Sequence, residues 1–504
     1  MDRRTFLQSA SLAATTPLLG GLPPRPTATP PPVPSVPASA LRDLSRALGG
    51  RIVGRGSPGC SSFNVLSNDR FTAVQPLAIA QCTTVEEIAA CVKWAREHRV
   101  PIAPRAGGHN FAGYSTSPGL VVAVTDMKGT RLDASTGVLV AEAGVQNQDL
   151  RAILPQGGEG RWVFSGGTCP TVGAAGLTLG GGMGPNSRWA GLTCDQLIET
   201  TIVTADGEVL VASPSSHPDL FWALRGSAGR NFGINASFTY QLAARPHEKS
   251  TVYGLEFESR AKCAAAAKVI LRGMRSAPPT SSVLMIASSW TDGVGCVMWG
   301  QYFGDDPRAA ELKKELFALD ADYTFERKAS WWDAQSWLMG SATAPRPYWD
   351  RSRFVRDAVP DEVIDELFHR LERYPGTTDE RFGQLAFYGW TGGAINAVPR
   401  TATAFVHRDS SAVIRISGVW KLGDDRPAGA APIPPEIEAW VDGAWDTLLP
   451  HATPESYQNF PDPLLKDWAT AYYGENLPRL REVKSRHDPT NLFAFEQSIP
   501  PAGS

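Results

Sequence analysis

The sequence predicts an α+β protein built in two main parts, and three observations carry that reading. From about Val74 to Leu242, helical and β-forming segments alternate, separated by glycine-rich crossings. From about Ala243 the pattern changes. β-rich runs (Val283 to Ser289, Val297 to Phe303, Ala412 to Trp420) now alternate with helical ones (Ala261 to Arg272, Asp361 to Arg373), as in an antiparallel sheet backed by helices. Within the first part lies the third observation, the stretch SGGTCPTVGAAGLTLGGGMG from Ser165 to Gly184. A flexible linker would carry little apolar content. Here Cys169, Pro170, Val172 and Leu177 interrupt the glycines at fixed places, which suits a backbone folded tightly against a ligand.

Taken in order, Thr84-x-x-Glu87 is a capping box, and Ile88, Val92 and Ala95 share one face of the helix behind it. Pro101 closes that helix, and Ile102-Ala103 starts a strand leading into Arg105-Ala-Gly-Gly-His109. LVVAVTDM and GVLVAEAGV are β-forming runs, and Gln148 to Leu154 reads as a short helix. IETTIVTADGEVL is a hairpin turning at Asp206-Gly207. HPDLFWALRG is then helical, and NFGINASFTYQL is a strand. Trp331, Trp332, Trp337, Trp349 and Trp390 crowd the second part, where core packing outweighs a ligand-lining role because apolar rings are mostly interior. There is no internal repeat.

The 504 residues suffice for two or three domains with large cores. A net charge of −3 points away from nucleic-acid partners. MDRRTFLQSASLAATTPLLGGL, with paired Arg3-Arg4 before a mildly apolar run, reads as a twin-arginine signal peptide. It implies export to the periplasm or beyond through the twin-arginine machinery. Its apolar run is too short to span a membrane, so no stable membrane association is expected. The following PPRPTATPPPVPSVPA is an extended tether. Seven cysteines without a C-x-x-C argue against a zinc ribbon, and no metal is expected. The odd count leaves one thiol over, and Cys169 is the candidate; pairing among the others stays open.

RAGGH and the Cys169 stretch are two close-approach loops, one ending in His and one carrying Cys, which suits a flavin held from both sides. The blocks PRAGGHNFAGYS, GTCPTVG followed by GGGMG, DLFWALRGSAGRNFGI and YYGENLPRLREVKSRHDPTNLF…QSIP run in order from about Val74 to Pro500. Together they resemble the berberine bridge enzyme-like FAD oxidases of the vanillyl-alcohol oxidase superfamily. With the signal peptide and tether read over 1–40, the resemblance implies a PCMH-type FAD-binding domain of two subdomains over 41–243. A substrate domain over 244–454 follows, and then a segment, 455–504, that returns to the FAD domain.

It also implies covalent FAD, joined to His109 at the flavin 8α-methyl and to Cys169 at ring carbon 6, with a raised redox potential. A thiolate beside an electron-poor ring is a competent nucleophile. Further cofactor contacts are expected from Arg105, Ala106, Gly107, Gly108 and Asn110 in the first loop. In the glycine stretch they are expected from Ser165, Gly167, Thr168, Val172, Gly173 and Gly176, and from Gly180, Gly181 and Gly184. Asp195, Gly233, Ile234, Asn459 and Asn491 complete the set. Val172 matches a valine that leaves the oxygen face of the flavin open, implying an oxidase.

The chain also departs from the family. Leu177 stands where His is common, and Met183 where Tyr is common. The Tyr-x-Asn-Tyr motif reads Tyr457-Gln-Asn459-Phe460, so the second tyrosine, which takes the substrate proton in many relatives, is missing. Tyr457 and Tyr114 are the nearest substitutes. Arg415 occupies a strand position that is often polar; it is a poor base but a good partner for a carboxylate or oxyanion, which points to an anionic or enolisable substrate. The expected function is a secreted FAD-dependent oxidase of an alcohol, sugar or amine, with oxygen returning peroxide. An oxidative tailoring enzyme and a ligand-binding protein on the flavin scaffold are the alternatives.

Overall fold

The helix Val85–Glu97 begins where its sequence places it, with the Thr84 hydroxyl accepting from the Glu87 backbone N–H. Glu87 closes the box one residue early, on the N–H of Thr83. Ile88, Val92 and Ala95 are fully buried. A computed structural model describes residues 35–57, 60–342, 344–423 and 429–503. The signal-peptide reading and most of the tether lie outside the described residues. The tether ends sooner than residue 40: a helix, Ala38–Ala47, buries Ala40 and Leu44. The Trp94 indole N–H donates to the Ala40 carbonyl at 2.9 Å, docking this helix on the next.

Two sheets make the first part. One has the order Ile52–Gly54, Ala78–Gln81, Leu120–Ala123, Ile102–Arg105, its last three strands parallel. The other is antiparallel, in the order Thr130–Asp133, Val138–Glu142, Ile234–Gln241, Leu197–Val203, Val209–Ala212. The Asp206-Gly207 hairpin forms as read, with Gly207 at positive φ.

The second part is a seven-stranded antiparallel sheet. Its order is Tyr323–Ser330, Lys249–Phe257, Gly293–Tyr302, Ser281–Trp290, Phe382–Gly389, Ala412–Val419, Tyr348–Val355. The helices Arg260–Ser276, Asp361–Glu372 and Pro435–Leu448 back it. Strand alternation divides the work. On Ala412–Val419, the buried Ile414 and Ile416 join the core with Leu367, Phe368 and Ile437. Arg415 and Ser417 instead face a cavity on the other side of the sheet. Trp331 and Trp349 are buried core, as expected, while Trp390 is both buried and cavity-lining.

The C-terminal segment ties the two parts together. The Phe354 N–H donates to the Glu455 carbonyl, and the Tyr457 N–H to the Ser352 hydroxyl, on the second part. Gln458 and Tyr473 donate to the carbonyls of Gly226 and Ser227 on the first. Among the described residues, no helix is long and apolar enough to cross a membrane.

Candidate active site

A cavity of about 1240 Å³ runs between the first part and the open face of the seven-stranded sheet. Its floor is made by the two close-approach loops. They touch through glycine: a Cβ on Gly107 would lie 2.5 Å from the Gly173 nitrogen. His109 Nε2 lies 2.8 Å from the Thr171 hydroxyl, and Cys169 Sγ lies 3.7 Å from the same oxygen. The histidine and the cysteine therefore converge on one threonine. Burial pushes the His109 pKa down to about 4, so its imidazole is neutral at ordinary pH. Asn147 fixes the cysteine loop by donating to the Cys169 carbonyl at 2.9 Å. Cys169 is partly exposed, whereas the other six cysteines are buried.

Most of the expected residues reach this cavity. Ala106 to Asn110 line it from one loop, and Gly167, Thr168, Cys169, Val172, Gly173 and Gly176 line it from the other. Gly233, Ile234, Asn459, Tyr114, Tyr457 and Arg415 line it too. Seven do not. Arg105 is turned inward and donates to the carbonyls of Phe63 and Ser115 and to Asn64. Ser165 bonds the Gly191 carbonyl, and Asp195 is clamped by both Nη atoms of buried Arg408 at 2.7 Å. Gly180, Gly181 and Gly184 are required for packing instead, since a Cβ there would strike Asn459, Phe405 and the Gly166 carbonyl. Asn491 sits at φ 52 in the turn after the last helix, its N–H on the Asp488 carbonyl. These seven hold the loops in shape without lining the cavity.

Neither substitute tyrosine is placed as a free base. The Tyr457 oxygen accepts from the backbone N–H groups of Gly182 and Met183 and from Asn459 Nδ2, so it pins the glycine stretch. Burial pushes its pKa up to about 12 even so. Tyr114 is pushed far above the ordinary phenol range by burial and packs its ring on Phe495.

Arg415 does face the cavity, but with a partner that the sequence did not reveal. Its Nη1 lies 3.4 Å from Asp350 Oδ2, and both side chains are largely buried. Asp350 Oδ1 and Arg415 Nε are buried without a hydrogen-bond partner. Burial pushes the Asp350 carboxyl above its ordinary pKa, and Arg415 opposes that shift. Around the pair stand Phe460, Phe111 and Tyr388, whose ring centres lie 5.7, 5.9 and 5.8 Å from the Arg415 Cζ. Phe460 stacks on Phe111 at 5.1 Å. Asp350, Phe111, Tyr348 and Tyr388 were not legible as site residues. One signal for Asp350 lies in the strand Tyr348–Val355, where period-2 alternation puts Tyr348 and Asp350 on one face.

The fold and this cavity define a flavin-dependent oxidoreductase of the PCMH type. Residues 76–213 match an FAD-binding domain family, and residues 456–500 match the berberine and berberine-like family. The chain is 30% identical to the FAD-linked oxidoreductase YgaK of Bacillus subtilis, over 90% of this chain and 97% of that protein. It is 31% identical to a xylooligosaccharide oxidase of Thermothelomyces thermophilus, over 86% of this chain and 89% of the relative. The solved xylooligosaccharide oxidase from Myceliophthora thermophila, in complex with xylobiose, superposes with a TM-score of 0.77 at 27% identity, covering 92% of this chain and all of that one. The chain belongs to the berberine bridge enzyme-like FAD-linked oxidases. The residues present fit FAD: two backbone loops meet at glycines, a neutral histidine and a cavity-facing cysteine stand side by side, and buried polar atoms on the wall lack partners.

Proposed function

We propose that this chain is an exported oxidase of sugar hydroxyl groups, with FAD joined covalently to His109 and Cys169 and with hydrogen peroxide as its product. The twin-arginine leader in the sequence supports export. The observation that carries the chemistry is the buried Asp350–Arg415 pair, whose carboxylate lines, with Ser417 next to it, the same cavity as Phe460. When bound, FAD supplies the two-electron acceptor for the substrate C–H and hands the electrons to oxygen.

The protein's own groups do the rest. Asp350 takes the hydroxyl proton as the C–H bond breaks, which is the base role that Phe460 cannot fill. Arg415 opposes the upward push of burial on that carboxyl, favouring its ionised form, and donates to the substrate oxygen. Because Arg415 already faces Asp350, a carboxylate substrate would bring a second anion into a buried site against one cation. A neutral polyol fits better, and this replaces the anionic-substrate expectation. Tyr348, Tyr388, Trp299 and Trp390 supply aromatic walls, with Gln384 and Ser288 as polar contacts, a lining suited to pyranose rings. Relatives are named as xylooligosaccharide and chitooligosaccharide oxidases. The test is a peroxide assay over a panel of mono- and oligosaccharides, amines and sugar acids. Turnover confined to neutral sugars is expected, and turnover confined to amines or acids overturns the reading.

Val172 lines the cavity from the cysteine loop. Val172→Leu is expected to slow reoxidation of the reduced enzyme by oxygen while leaving anaerobic reduction nearly unchanged. Stopped-flow traces of the two half-reactions check this.

A further inference from the structure

Four arginine and lysine residues line the cavity: Arg230, Arg346, Arg415 and Lys421. Of these, Arg230 alone comes from the flavin-binding part of the chain. It is buried, and no carboxylate among the described residues lies within ion-pair distance of it. Its partners are all carbonyls: Nη1 donates to Tyr114 at 3.2 Å and Thr116 at 3.4 Å, and Nη2 to Ala494 at 3.1 Å. A guanidinium has five N–H donors, so these three bonds leave two unused, one of them the buried Nε. The charge is retained, since burial lowers the Arg230 pKa only to about 10.

The surroundings repeat the pattern. The hydroxyls of Tyr114, Ser115 and Thr116 are buried without partners, and Tyr114 and Ser115 line the cavity beside Arg230. A buried cation that Glu496 offsets only from beyond ion-pair distance, next to several orphaned donors, is costly unless an anion with several acceptor oxygens completes it. The backbone is also held for this position. Arg230 sits at φ 69 and Ala228 at φ 66, a region that residues with a Cβ seldom occupy. The guanidinium lies over Phe495, 5.2 Å from its ring centre, so it is fixed on that side as well.

We infer that Arg230, with the Tyr114 and Ser115 hydroxyls, binds the pyrophosphate of FAD, the one dianionic part of the cofactor. Tyr114 is then a hydrogen-bond donor to the cofactor and not a substrate base. The inference rests on FAD occupying this cavity; it does not depend on the covalent links or on the sugar reading.

The test uses full-length holoenzyme. In protein carrying His109→Ala and Cys169→Ala, isolated with its flavin, Arg230→Met is expected to speed FAD release on dilution by roughly 10- to 100-fold. Arg230→Lys should recover part of the loss, and added salt should accelerate release less in Arg230→Met than in its parent. In the covalently linked holoenzyme, Arg230→Met should shift the ³¹P resonances of the pyrophosphate while leaving the visible flavin spectrum in place; Tyr114→Phe should do the same more weakly. If the unlinked protein cannot be isolated with flavin, the ³¹P spectra decide. Unchanged ³¹P resonances in Arg230→Met overturn the inference, and so does a release rate equal to that of the parent. A holoenzyme without any flavin would instead sink the cofactor assignment itself.

Discussion

Protein carrying both His109→Ala and Cys169→Ala is expected to surrender its flavin to the supernatant on acid precipitation, while each single variant keeps it in the pellet. The two attachment groups lie side by side at Thr171 but come from different loops, so each single variant retains one candidate link. Linkage through His109 needs a nitrogen lone pair. With a pKa of about 4, the imidazole loses its nucleophilic form only as pH falls below that value, so attachment should proceed unhindered at neutral pH. Peptide mapping gives the direct check. Unmodified His109 and Cys169 peptides from the wild-type protein would remove both links from the account.

Asp350→Asn is expected to lower the rate of anaerobic flavin reduction by about 10²- to 10⁴-fold with flavin content unchanged, the usual effect of losing a positioned base. The sign of its pH dependence follows from the site. The base must be ionised, and burial raises the Asp350 pKa above the ordinary carboxylate value, so kcat/KM should fall as pH drops through that raised value. Arg415 holds the value down. Arg415→Ala should therefore move the acid limb to higher pH as well as slowing turnover. Phe460→Tyr should be tolerated, since the ring contacts of Phe460 with Phe111, Tyr388, Tyr457 and the Arg415 guanidinium survive the added hydroxyl. An acid limb identical in wild type and Asp350→Asn would assign the proton to another group.

Much of this was legible in the chain because local chemistry dictated it. The helix start at Thr84, the Asp206-Gly207 turn and the alternating runs at Val283 and Ala412 each formed where their patterns placed them. The two glycine loops were legible as close-approach segments; that they meet each other, Gly107 against Gly173, appears only in the structure. What could not be read were pairings made by tertiary structure. Arg415 and Asp350 are 65 positions apart and meet because the strands Ala412–Val419 and Tyr348–Val355 are neighbours at the sheet edge. The same applies to Asp195, which reads as a cofactor contact by motif until Arg408 is seen clamping it. Motifs mark where glycines and nucleophiles must be. They do not reveal which charge a long-range neighbour has already neutralised.

A double-mixing experiment tests the central claim most directly. The enzyme is first reduced without oxygen by a neutral oligosaccharide and then mixed with oxygenated buffer, while the visible flavin band and hydrogen peroxide are followed. The expected result is bleaching of the band by sugar, prompt recovery in oxygen, and one peroxide released for each sugar oxidised. A flavin that no sugar bleaches, or a reduced flavin that persists in air without forming peroxide, would contradict it.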